Sequence, residues 1–215
     1  KKQALTTNAF LLSGKIDELA ENGLDRVNVS LDSLNKDTYK EITGVDGLDK
    51  VKVAIRECHK RFKPIKINIA LMNKNIGEIK DFINFGRSLG DNVVIKFHEL
   101  WKFKPKEVYK KEHVSEEEIY KKISSVGNIE EIKTIKGNNP TIKYYNMLVD
   151  GENSKIGISP LPKSFRCGGP SCSKIRVYST GRTCEGKLLL NTSYEEKINY
   201  IRELMKRRCT TCIQR

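Results

Sequence analysis

The residues best equipped for chemistry sit late in the chain. Cys167-Gly-Gly-Pro-Ser-Cys172 places two thiols on a Gly/Pro loop, and Cys184 follows after a hairpin-like stretch. Three thiolates drawn together can hold a metal ion or an iron–sulfur cluster, and a four-iron cluster with three cysteine ligands keeps one iron open to a substrate atom. A closed zinc site usually takes four ligands, and Cys209-Thr-Thr-Cys212 could supply the remainder. Spacing alone suits zinc and iron–sulfur equally, and free reduced thiols are a third reading. Lys174 and Arg176 stand two apart beside Cys172, on one face of an expected strand. Cations there could hold phosphate oxygens, Arg through a bidentate fork. The blander reading is a charged strand edge that resists aggregation. Cys58 stands apart on a helical pattern and reads as a packing residue.

These residues need a scaffold, and the first hundred residues alternate strand and helix. Strands are expected at 3–8, at Val27, Val29 and Leu31, at Ile65 to Leu71, and at 92–100. Helices are expected at 10–22, at 47–61 and from Asn75 to about Leu89, the last opened by a capping box of Asn75 with Glu78. Such alternation implies α/β architecture with a parallel sheet. Val27, Val29, Leu31, Ile65, Ile67 and Ile69 would lie under the helices, turning Asn28, Ser30, Asp32, Lys66 and Asn68 to the opposite face. Polar groups in an enclosed barrel cost free energy unless paired or wet, so such a lining suggests a binding site. A solvated antiparallel sheet is the alternative.

Beyond Lys102 the pattern changes. Ser115 with Glu118 predicts a capped helix to about Ser124, and short strands are expected at 130–136, 141–149, 155–159 and 174–178. Asp150-Gly151 predicts a hairpin turn. Ser193 with Glu196 predicts a final amphipathic helix. Two regions are expected, 1–104 and 105–215.

Forty Lys and Arg against 27 Asp and Glu give a net charge of +13, suited to polyanions or a nucleoside triphosphate. The cations are scattered along helices, so a solvated basic surface explains the charge equally well. The 38% hydrophobic content suits a globular core. No apolar run approaches the ~18 residues of a membrane span, and nothing resembles a signal peptide, so a cytoplasmic location is expected.

Several segments carry a specific resemblance. Leu5-Thr-Thr-Asn8, the run Arg26-Val-Asn-Val-Ser-Leu-Asp32, Ile42-Thr-Gly44, Pro64-Ile-Lys-Ile-Asn68 and Lys96-Phe-His-Glu99 resemble the middle of the radical S-adenosylmethionine GTP 3',8-cyclase family, also called molybdenum cofactor biosynthesis protein A. Cys172-x-Lys-x-Arg176, followed by Thr180-Gly181, resembles that family's second-cluster motif. The resemblance implies a partial parallel (β/α) barrel of the radical SAM type, followed by a smaller α+β region with an auxiliary cluster. It also implies the conversion of GTP to (8S)-3',8-cyclo-7,8-dihydroguanosine 5'-triphosphate, the first step toward cyclic pyranopterin monophosphate. In that reaction a 5'-deoxyadenosyl radical takes the ribose 3' hydrogen, and the sugar radical attacks purine C8.

The resemblance assigns roles residue by residue. Ser30 and the backbone of Trp101 would meet S-adenosylmethionine. Thr6, Lys66, Lys96, Lys174 and Arg176 would contact substrate, with Arg176 and Lys66 foremost in the reaction. Cys167, Cys172 and Cys184 would ligate a 4Fe-4S cluster. The implied partners are GTP, an electron donor, a second copy of the chain, and the enzyme that forms cyclic pyranopterin monophosphate; neither membrane nor nucleic acid is expected. The family's Cys-x3-Cys-x2-Cys motif for the radical cluster is absent and is expected upstream of Lys1. Four residues separate Cys167 from Cys172 where the family has two, Cys184 comes early, Lys stands for Arg at 96 and 174, and Trp101 replaces a Met. Two further readings stay open. One is a related radical enzyme with an auxiliary cluster and another substrate, such as a peptide. The other is a non-catalytic basic zinc module that binds nucleic acid.

Overall fold

The computed structural model describes residues 3–90, 92–100, 106–132, 142–160, 193, 195, 196 and 199. The chain divides into two compact units, Lys1–Leu161 and Pro162–Arg215. Every element below belongs to the first.

Among the described residues seven strands form one sheet: β1 (Ala4–Thr7), β2 (Arg26–Ser30), β3 (Ile65–Leu71), β4 (Val93–Glu99), β5 (Asn128–Ile132), β6 (Lys143–Val149) and β7 (Glu152–Ser159). Their order is β1-β2-β3-β4-β7-β6-β5. The pairs from β1 through β4 to β7 are parallel, and β7-β6 and β6-β5 are antiparallel. The fold is thus α/β, a parallel sheet with helices plus an antiparallel C-terminal hairpin, as the strand–helix alternation predicts. The sheet does not stop near residue 104, because β7 extends it beside β4.

Between the strands run α1 (Ile16–Glu21), α2 (Lys36–Thr43), α3 (Leu48–Arg61), α4 (Ile79–Leu89), α5 (Lys106–Glu112) and α6 (Glu116–Ser124). Alternate strand residues seal one face of the sheet. Val27, Val29, Ile65, Ile67, Ile69 and Phe97 are buried in one core with Val51, Ala54 and Ile55 of α3, Phe82 and Ile83 of α4, and Ile119 and Ile123 of α6. Cys58 joins that core, and burial pushes its thiol up to about 11. It is a packing residue.

Local expectations fared unevenly, for identifiable reasons. Ser115 and Glu118 form the predicted capping box on α6. Ser193 and Glu196 exchange the corresponding bonds, at 2.7 and 3.2 Å. Asp150 and Gly151 both adopt positive φ, 51° and 81°, as a two-residue hairpin turn demands. The helix expected over 10–22 is only α1, because Gly14 at φ 79° ends a preceding turn. α2 was not foreseen, although Asn35 caps it by accepting from the Asp37 and Thr38 amides, each at 3.0 Å, and Gly44 ends it at φ 75°.

The capping box of Asn75 with Glu78 does not form, since both side chains are engaged by other partners. The Asn75 amide accepts from Met72 N at 2.7 Å and donates to the Asp32 and Ala70 carbonyls at 2.6 and 2.9 Å. The Glu78 carboxylate accepts from Ser33 Oγ at 2.8 Å and Leu34 N at 2.6 Å. A 3-10 turn at Ile76–Glu78 then leads into α4. These bonds tie the loop leaving β2 to the loop leaving β3, at the carboxyl edge where parallel sheets place their ligands.

Asn75 is fully buried, and replacing it with Leu strands one amide and two carbonyls. Asn75→Leu is therefore expected to cost about 3 kcal/mol of stability, read as a lower urea midpoint. A loss below about 1 kcal/mol would show that this tie is not what fixes the edge.

Candidate functional site

The candidate site is the sheet face opposite the helices. Strand alternation sends every second side chain there. In register, Thr6 lies opposite Asn28, Asn28 opposite Lys66, Ser30 opposite Asn68, and Asn68 opposite Lys96. Four residues singled out in the sequence, Thr6, Ser30, Lys66 and Lys96, thus share one face of four neighbouring strands. Asn28 Nδ2 donates to Thr6 Oγ1 at 3.2 Å, fixing the hydroxyl at the β1–β2 junction. Asp32 leaves β2 on the same side and accepts from Ala70 N at 2.7 Å, and its burial raises the carboxyl above the ordinary carboxylate range.

Lys66 is half-buried, its ammonium 5.9 Å from the centre of the Tyr144 ring. Burial, and secondarily the charge of Arg26, lower its pKa. Lys96 is buried, at 8% exposure. Its stem lies where a side chain on Gly157 would project: a Cβ there would meet Lys96 Cγ and Tyr144 Cε1, each at 3.3 Å. His98 follows two residues on, and its Nε2–H donates to Asn68 Oδ1 at 3.2 Å, because an amide oxygen only accepts. Burial first, then the Lys96 charge, depress the His98 pKa to about 4, so the imidazole is neutral at pH 7. The face therefore combines cations, hydroxyls and a neutral imidazole, a lining that favours an anionic ligand carrying hydrogen-bonding groups.

Arg26, His98, Tyr144 and Gly157 were not singled out as site residues. His98 was legible, two positions beyond Lys96 on one strand. Tyr144 and Gly157 were not, because only the β4–β7 pairing brings the hairpin beside the parallel strands. Trp101, Cys167, Cys172, Lys174, Arg176, Cys184, Cys209 and Cys212 lie outside the described residues.

Comparison with known proteins bears on this arrangement. The profile of the Radical SAM superfamily matches residues 1–86. The chain is 35% identical over 94% of its length to the "Probable GTP 3',8-cyclase" of Sulfurisphaera tokodaii. It is 37% identical over 82% of its length to the GTP 3',8-cyclase of Clostridium perfringens. The chain belongs to the radical SAM superfamily. It spans 66% and 53% of the length of those two relatives. A domain of pyruvate-formate lyase-activating enzyme from Bacteroides vulgatus superposes with a TM-score of 0.45, at 18% identity over 57% of this chain and 73% of that one.

A radical SAM protein uses S-adenosylmethionine and an iron–sulfur cluster. The Ser30 hydroxyl, at the carboxyl end of β2 on the polar face, suits a hydrogen bond to the first. For the cluster, the described residues contain no group of three or more His, Cys, Asp or Glu able to hold a metal. Cys58, the cysteine they include, is buried in the apolar core. Among the described residues no helix is long and apolar enough to cross a membrane.

The depressed His98 pKa has a consequence for stability. The unfolded chain takes up this proton near the ordinary value of about 6.5, whereas the folded chain resists until about 4. Stability is therefore intact above 6.5 and falls as the pH drops through that window. His98→Gln keeps an amide donor for Asn68 and is expected to flatten that part of the urea-midpoint profile. An unchanged slope would mean that His98 titrates normally.

Proposed function

We propose that this radical SAM protein is a GTP 3',8-cyclase, converting GTP to (8S)-3',8-cyclo-7,8-dihydroguanosine 5'-triphosphate on the way to cyclic pyranopterin monophosphate. The observation that carries the reading is the shared face of Thr6, Ser30, Lys66 and Lys96, with hydroxyls and ammoniums projecting from adjacent parallel strands. Similarity to relatives named for that activity supports it.

In this reading Lys66 and Lys96 take the anionic part of GTP as compact point charges. Thr6, held by Asn28, meets the substrate at the β1 end. Ser30 orients S-adenosylmethionine, with the backbone of Trp101. When bound, that cofactor would supply the radical that starts the cyclisation. The chain holds ribose and purine at one mutual orientation and excludes water. His98, neutral beside Lys96, donates a hydrogen bond to Asn68 without adding charge. By resemblance, Cys167, Cys172 and Cys184 would ligate an auxiliary 4Fe-4S cluster, and Lys174 and Arg176 would contact substrate, with Arg176 foremost in the reaction. An electron donor, a second copy of the chain and the enzyme that consumes the product complete the picture.

A second reading keeps the chemistry and changes the substrate, for instance to a peptide. The four-residue gap between Cys167 and Cys172 and the extra pair Cys209 and Cys212 favour it.

The two part on nucleotide binding. Full-length protein, reconstituted without oxygen, is expected to bind GTP saturably in equilibrium dialysis. Lys66→Met should weaken that binding ten- to a hundredfold, since a charge-assisted hydrogen bond contributes about 1.5–3 kcal/mol. Absence of saturable GTP binding by the unmodified protein would remove the first reading.

A further inference from the structure

Lys66 and Tyr144 meet across an unusual distance. They belong to β3 and β6, with β4 and β7 between them. At about 4.8 Å per strand they are separated by roughly 14 Å measured along the sheet, and the two side chains close that gap to 5.9 Å. Gly157 permits this on the β7 side. It lies directly opposite Tyr144 in register, and the space a Cβ would fill is taken by Tyr144 Cε1, Lys96 Cγ and Ile142 Cγ2, at 3.3, 3.3 and 3.4 Å. The ring thus lies close over Gly157 of β7, with the Lys96 stem approaching the same glycine.

The chemistry of the contact matters as much as its reach. A carboxylate partner would neutralise Lys66 and occupy its N–H donors. An aromatic face attracts the ammonium through its quadrupole and takes no hydrogen bond, leaving three donors for a ligand. Among the described residues Lys66 makes no ion pair with an acid. Burial keeps the Tyr144 phenol above its ordinary pKa, so the ring stays neutral beside two cations. Arg26 lies diagonally across from Lys66 on β2, and its charge acts on both Lys66 and Tyr144.

We propose that Tyr144, seated over Gly157, is a positioning residue that aims the Lys66 ammonium at an anionic group of the substrate. This rests on Lys66 as a ligand-binding lysine, the role proposed for it above.

Two measurements on the full-length protein test the proposal. The first is made without ligand. Lysines are reductively methylated with 13C, and the Lys66 signal is assigned by its loss in Lys66→Arg. That signal should carry an upfield ring-current shift that survives Tyr144→Phe and disappears in Tyr144→Leu. The second is equilibrium binding of GTP. Tyr144→Leu should weaken it roughly tenfold, Tyr144→Phe should restore it to within about twofold, and Gly157→Val, which fills the slot, should act like Tyr144→Leu. A Lys66 signal without a ring shift, or wild-type GTP affinity in Tyr144→Leu, overturns the proposal. If the unmodified protein binds no GTP, the nucleotide reading falls, and the ring shift alone then decides the placement: present, it supports the positioning role; absent, it overturns it.

Discussion

Everything at the candidate site depends on the alternation of β3. Ile65, Ile67, Ile69 and Leu71 are each fully buried under the helices, while Lys66, Asn68 and Ala70 turn the other way. Sliding this strand by one residue would expose the four apolar side chains, at about 2 kcal/mol each, and press an ammonium into the core. A one-residue slip is therefore strongly disfavoured. Because β2 and β4 pair with β3 residue for residue, the same constraint places Ser30, Lys96 and His98 on the polar face. The site is thus a by-product of sealing the opposite side.

A second layer of order comes from polar ties at the carboxyl edge. Asn75 and Glu78 give up their local capping roles to hold the loop after β2. Lys74, beside them, pairs with Glu41 of α2 and with the buried Glu112 of α5. His113 closes on Glu99 at the end of β4, at 2.7 Å. Four connections are therefore pinned to each other where β2, β3 and β4 end. Such ties limit how far the strand ends can shift at the rim of the candidate site, and small misplacements of reacting groups cost large factors in rate.

The electrostatics of the face follow from burial more than from charge count. Lys66 and His98 are both pushed toward their neutral forms by desolvation, and each is pushed further by a neighbouring cation. Lys66 starts from so high a value that it stays charged, whereas His98 starts near 6.5 and becomes a neutral hydrogen-bonding group. One physical effect thus yields two kinds of polar group on adjacent strands. The surplus positive charge of the whole chain adds attraction at longer range, weakened by salt.

Much of this was legible in the residues themselves. Period-two runs such as Ile65 to Leu71 specify strands and the side each residue faces, because only one face can be apolar. Ser115 with Glu118 and Asp150-Gly151 are local signals, satisfied within a few residues, and they appear as read. The sequence alone also pointed to Thr6, Ser30, Lys66 and Lys96 as candidate site residues, and alternation placed Ser30 and Lys66 on the polar side. It could not decide the fate of Asn75 and Glu78, which bond to the Asp32 carbonyl and the Leu34 amide, over forty residues away in the loop after β2. Nor could it bring Tyr144 to Lys66, since that meeting depends on β7 choosing β4 as its neighbour and on the room Gly157 leaves by lacking a side chain. Local patterns fix which way a side chain points, but only the paired sheet decides what it finds there.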